Sequence, residues 1–97
     1  MELNGKVVVV TGGASGIGTG LCRRFREEGV RALIIADLNG EAVSALAAEL
    51  DAVGVTLDVR DEAAMAAMVS EVEAQFGQID LFCSNAGILN LDGDDFW

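Results

Sequence analysis

Ninety-seven residues carrying a net charge of −10 make one domain at most, and a chain this acidic is a poor match for nucleic acid, whose phosphates call for Lys and Arg. Hydrophobic residues form 52% of the sequence, too many for a disordered tail, while the longest aliphatic run, residues 7–10, is far too short to span a bilayer. The sequence has no His, no Tyr and no Pro, so these residues supply no Ser-His or Cys-His couple, no His-ligated metal site and no phenol as proton donor.

No basic-then-apolar leader opens the chain, and a cytoplasmic location is expected. Cys22 and Cys83 form no Cys-x-x-Cys pair, and each lies in an apolar stretch. They read as small buried hydrophobes in a reducing compartment, with a disulfide or redox role as the alternative. Charge is uneven. All six bases lie within the first sixty positions, and from Asp61 onward there are eight acids and no base, which reads as a solvated acidic surface. Within the Arg23-Arg24-Arg26 cluster, Arg23–Glu27 and Arg24–Glu28 have the spacing of helix pairs.

In chain order, two periods alternate. A Val-rich strand over 6–11 breaks at Gly12-Gly13. A helix follows with Ile17, Leu21 and Phe25 at four-residue steps, and Gly29 stops it. A second strand over 32–36 ends at Asp37. Asn39 or Gly40 then opens a helix with Val43, Leu46, Ala47 and Leu50 on one face. A third strand over 52–57 runs into Asp58-Val59. Asp61 is a good N-cap for a third helix, whose apolar stripe is Met65, Met68, Val69, Val72 and Phe76, closed by Gly77. Met65 and Met68 read as core packing rather than cofactor contacts. A fourth strand over 79–83 leads to Ser84-Asn85-Ala86-Gly87.

Short apolar runs without alternation suit strands buried on both faces of a parallel sheet. The fold class is α/β, in the order β-α-β-α-β-α-β. Right-handed crossovers predict the strand order 3-2-1-4, the N-terminal half of a doubly wound parallel sheet. The fourth strand then forms an open edge, so residues 1–97 read as an incomplete domain, cut before its remaining strands.

Gly12, Gly16 and Gly18 stand between a buried strand and an amphipathic helix. Gly12 permits the tight turn, a bare Gly16 lets backbone N–H groups approach a diphosphate, and Gly18 lets the helix lie close to the sheet. Asp37 falls nineteen residues beyond Gly18, where a carboxylate can accept hydrogen bonds from the adenosine ribose hydroxyls. It would repel a 2′-phosphate, and no base stands at Leu38, Asn39 or Ser15 to neutralise one; NAD is therefore favoured over NADP. All four strands end in small or polar residues on one rim, where ligands bind in open α/β sheets. The reading is a Rossmann-type site for an adenine dinucleotide.

The run Thr11-Gly12-x-x-x-Gly16-Ile17-Gly18, Asp37, Asp58-Val59, and Asp80 leading into Asn85-Ala86-Gly87 together resemble the N-terminal portion of a classical short-chain dehydrogenase/reductase. The resemblance runs the length of the chain, with Ser84 where the family usually has Asn. It implies a homo-oligomeric oxidoreductase that moves hydride between a nicotinamide cofactor and an alcohol or carbonyl substrate. It implies that Ser15, Ile17 and Gly18 line the ribose–diphosphate path and that Asp37 and Leu38 hold the adenosine ribose. Asp58 and Val59 would flank adenine. Asn85 would brace the central strands, with Ala86 and Gly87 near the cofactor. The family's catalytic Asn, Ser and Tyr-x-x-x-Lys match no position here, so no catalytic residue is assigned. Two other readings stand beside this one: a dinucleotide-binding module without turnover, and a half-sheet of an S-adenosylmethionine-dependent methyltransferase.

Overall fold

Four consecutive valines set the centre of the molecule. In the computed structural model, which describes residues 2–84, strand β1 (Val7–Thr11) is buried along its whole length. It lies between β2 (Ala32–Asp37) and β4 (Leu81–Ser84), and β3 (Val53–Thr56) pairs with the far side of β2. The sheet is parallel throughout, in the order β3-β2-β1-β4, as the sequence reading predicts.

The helices divide between the two faces. Val8 and Val10 of β1, with Leu33 and Ile35 of β2, pack against Cys22 and Phe25 of α1 (Gly16–Glu27) and Leu46 of α2 (Gly40–Leu50). Val7, Val9, Ala32 and Ile34 meet Met68 and Val72 of α3 (Glu62–Phe76) on the opposite face. Alternate residues of one strand point to opposite faces, so an unbroken apolar run feeds two cores at once. Each helix starts on a side-chain cap: Ser15 accepts from the Gly18 N–H, Asn39 from Ala42 and Asp61 from Ala64. Such caps are each worth about 1 kcal/mol.

Three expectations need correction. Burial on both faces holds for β1 and β2 but not for the four-residue outer strands, which are largely half-buried or exposed because each has a strand on one side only among the described residues. The buried face of α1 is Gly18, Cys22 and Phe25, with Ile17 76% exposed and Leu21 half-buried. Gly18, having no side chain, is invisible to a count of apolar residues. Finally, Arg24 pairs with Glu28 as its spacing suggests, but Arg23 turns to Glu49 of α2 instead of Glu27. The rest of the basic cluster is structural as well. Arg26 donates to the carbonyls of Leu50, Asp51 and Val30, satisfying acceptors where α2 ends. Both cysteines are free. Cys22 is fully buried, and burial first, with Cys83 second, pushes its thiol up to about 11; a thiol so placed is inert at neutral pH.

Asp80 joins β4 to the start of β1. Its Oδ2 accepts from the Val7 N–H at 2.8 Å, while its own N–H donates to the Val7 carbonyl at 2.9 Å. Asp80→Ala strands the Val7 donor and is expected to destabilise the intact polypeptide by about 1 kcal/mol in a urea titration, whereas Asp80→Asn, which keeps an acceptor, retains most of the stability. Equal midpoints for the two variants would show that the bond contributes nothing.

Candidate functional site

The carboxyl ends of the strands lie on one rim. Thr11 is in register with Ala36 on one side and Ser84 on the other, and Asp37 with Thr56. The fully buried Thr11 hydroxyl donates to the Cys83 carbonyl at 3.4 Å, and the Leu57 N–H donates to the Asp37 carbonyl at 3.0 Å. The strand ends are therefore tied to one another before any side chain faces a ligand.

The turn between β1 and α1 uses nearly all of its own hydrogen-bonding groups. Gly12 sits at φ +70°, a conformation that favours glycine. The N–H groups of Gly12 and Gly13 donate to the Ala36 carbonyl, that of Ala14 to Asp37 Oδ2 at 2.9 Å, and that of Ser15 to the Gly12 carbonyl. The Ser15 hydroxyl donates to the Gly12 carbonyl and accepts from the Gly18 N–H; the Thr19 N–H donates to the Ser15 carbonyl. Among the described residues this leaves the amides of Gly16 and Ile17 without an acceptor. Both residues are exposed at the first turn of α1, where orphan N–H groups and the positive end of the helix dipole favour an anion.

Two glycines make this geometry available in different ways. A Cβ on Gly18 would overlap the Gly12 carbonyl oxygen and come within 2.8 Å of Gly13 Cα, all backbone atoms that cannot rotate away. A Cβ on Gly16 would meet nothing within 4 Å; the space above it is open to a ligand.

Beside the turn is a cleft of about 240 Å³, lined by Gly12 after β1, Asp37 and Leu38 after β2, and Leu57 to Arg60 after β3. It is smaller than the roughly 300–1,000 Å³ typical of drug-sized ligands. Asp37 is immobilised in it: Oδ2 accepts from Ala14 N–H, and Oδ1 from the N–H groups of Leu38 at 2.6 Å and Asn39 at 3.3 Å. Asp58 is gripped by Arg60, whose Nε and Nη2 donate to its two oxygens at 3.0 and 2.9 Å, with the Arg60 N–H adding a third bond at 2.9 Å. The Arg60 side chain first, then its amide, holds the Asp58 carboxyl down at about 2, below its ordinary 3.8.

Of the residues singled out in the sequence, Gly12, Asp37, Leu38, Asp58 and Val59 meet in the cleft, and Ser15, Gly16, Ile17 and Gly18 form the adjoining helix start. Asn85, Ala86 and Gly87 lie outside the described residues. The Ser15 hydroxyl proton and amide are both used on Gly12. Sequence reasoning missed Leu57 and Arg60. Arg60 carries a signal, being an opposite charge two residues past Asp58, but only the pairing of β3 with β2 brings it to the cleft that Asp37 also lines.

The model of the short chain dehydrogenase family matches residues 6–96. The chain belongs to the short chain dehydrogenase family. It is 39% identical over 102 residues to a 1-deoxy-11-beta-hydroxypentalenate dehydrogenase of Streptomyces exfoliatus, covering 100% of this chain and 37% of the relative. It is 45% identical over 85 residues to a 2-dehydro-3-deoxy-L-rhamnonate dehydrogenase (NAD(+)) of a Sphingomonas species, covering 87% and 34%. Among solved structures, a 3-ketoacyl-(acyl-carrier-protein) reductase from Brucella melitensis complexed with NADH superposes with a TM-score of 0.76 at 33% identity, over 82% of this chain and 33% of that one. The chain thus spans about a third of the length of these relatives. Family membership sets aside the methyltransferase reading.

Two outcomes check the site geometry. Gly18→Ala is expected to destabilise the intact polypeptide by about 1–3 kcal/mol through overpacking, while Gly16→Ala leaves its denaturation midpoint nearly unchanged. A carbon-detected NMR titration is expected to find the Asp58 carboxyl ionising near pH 2 and, in Arg60→Gln, returning towards 3.8. Because the folded value is depressed, any stability the pair contributes is present above about pH 4 and fades as pH falls towards 2.

Proposed function

We propose that this chain seats an adenine dinucleotide, NAD(H), for an oxidoreductase that interconverts alcohols and carbonyls. The observation that carries this reading is the fixed carboxylate of Asp37 in the cleft next to the two unpartnered amides of Gly16 and Ile17. The amides and the helix N-terminus suit the diphosphate. The Asp37 oxygens, already oriented by three backbone N–H groups, can accept further from the two hydroxyls of the adenosine ribose. Leu38, 59% exposed, offers apolar surface beside that sugar, and Asp58 and Val59 form the wall for the base. The nicotinamide ring supplies the hydride chemistry when bound; the residues here bind and orient, and none is assigned to proton transfer. Substrate groups and subunit contacts would be supplied outside this unit. Small-molecule substrates and a homo-oligomer follow from the family resemblance.

The choice of NAD over NADP is electrostatic. Two unit charges about 4 Å apart at an effective dielectric near 20 interact by about 4 kcal/mol, so a 2′-phosphate beside Asp37 meets strong repulsion. The only cation lining the cleft among the described residues, Arg60, is paired with Asp58. The name of the Sphingomonas relative and the NADH in the Brucella reductase accord with this choice.

Calorimetry on the intact polypeptide tests the reading. Wild type is expected to bind NAD+ more tightly than NADP+. Asp37→Ala is expected to weaken NAD+ binding roughly tenfold or more, the scale of a lost hydrogen bond to a charged group, while weakening NADP+ less. A wild-type preference for NADP+, or no binding of either, would overturn it.

A further inference from the structure

Arg60 is the one cation among the described residues that line the cleft, and its charge is turned onto Asp58. Its guanidinium forks onto both oxygens of Asp58, at 3.0 and 2.9 Å, and its own amide adds a bond to Oδ1. The side chain is otherwise 83% exposed. An arginine on a long stem, held by one exposed carboxylate, is restrained weakly and can be re-aimed. Its neighbourhood makes the aim matter. Asp37 and Leu38 line the same cleft, and β3 is hydrogen-bonded to the end of β2 through Leu57 N–H and the Asp37 carbonyl at 3.0 Å. A free guanidinium here lies on the same rim as the ribose seat and would be a ready bidentate partner for a phosphate.

We infer that Asp58 is a specificity-determining residue: by sequestering the guanidinium of Arg60, it withholds the cation of the cleft from a 2′-phosphate. This rests on the reading of the cleft as the adenosine seat. Discrimination against the 2′-phosphorylated coenzyme then has two parts. Asp37 repels the phosphate directly, and Asp58 removes the charge that would otherwise offset the repulsion. The arrangement also places one positive and two negative side chains around the cleft, so its net charge stays negative without Arg60 being absent.

The test is a double-mutant cycle on the intact polypeptide, with NAD+ and NADP+ as probes in calorimetry and the ratio of their affinities as the readout. Asp58→Asn keeps an acceptor for the Arg60 amide while abolishing the ion pair. It is expected to shift the ratio towards NADP+ by about threefold to fivefold, the scale of an exposed ion pair, and the shift is expected to shrink at high salt. Arg60→Gln alone is expected to leave the ratio near wild type, because Arg60 is already withheld there. Asp58→Asn combined with Arg60→Gln is expected to lose the gain. The inference is overturned if Asp58→Asn leaves the ratio unchanged, if the gain survives without Arg60, or if Arg60→Gln alone weakens NADP+ selectively. Wild type that binds NAD+ while the cycle fails sinks this inference alone; wild type that binds neither dinucleotide sinks the adenosine reading with it.

Discussion

Two amide protons organise this site. In the turn from β1 into α1, the N–H groups from Gly12 to Ser15, and those of Gly18 and Thr19, have acceptors within the turn or at the end of β2; the amides of Gly16 and Ile17 have none among the described residues. Buried polar groups are nearly always paired, but these two are exposed at a helix start, where an anion can complete them. The surrounding bonds keep the pair aimed outward. Gly18 lets α1 close down on Gly12, the Ser15 side chain bridges the turn, and Asp37 reaches across from β2 to hold Ala14.

Asp37 consequently has two duties. It is part of the scaffold, because its oxygens accept from three backbone amides on two sides of the cleft. In the proposed reading it is also the charge that a coenzyme ribose would meet. Loss of its carboxylate should therefore loosen the glycine turn, and under the proposed reading the diphosphate and ribose seats would be coupled through this one side chain. Asp58 and Arg60 form a second, more exposed charge unit on the same cleft, tied to the first through the junction of β2 with β3.

Much of this was legible in the sequence because β1 and β2 are buried on both faces, and so read as unbroken apolar runs flanked by turn residues. Strand order followed from crossover handedness. The outer strands were harder. Val53–Thr56 and Leu81–Ser84 are short and partly exposed; the apolar pattern makes the first one residue too wide at each end, and it starts the second two residues early and ends it one residue early. The four-residue spacing puts Ile17 on one stripe with Leu21 and Phe25, yet Ile17 is exposed and Gly18 takes the buried place, because apolar spacing cannot register a residue whose contribution is the absence of a side chain. Arg60 is not legible from the residues flanking Asp37 in the chain, because it reaches the cleft from the segment after β3. The motif at Asn85, Ala86 and Gly87 lies outside the described residues and rests on the sequence alone.

A crystal structure of the intact polypeptide with NAD+ bound tests the central claim most directly. The account predicts diphosphate oxygens within hydrogen-bonding distance of the Gly16 or Ile17 N–H, and both adenosine ribose hydroxyls on the Asp37 carboxylate. A dinucleotide bound elsewhere, or one lying across this turn with those two amides still unpaired, would contradict it.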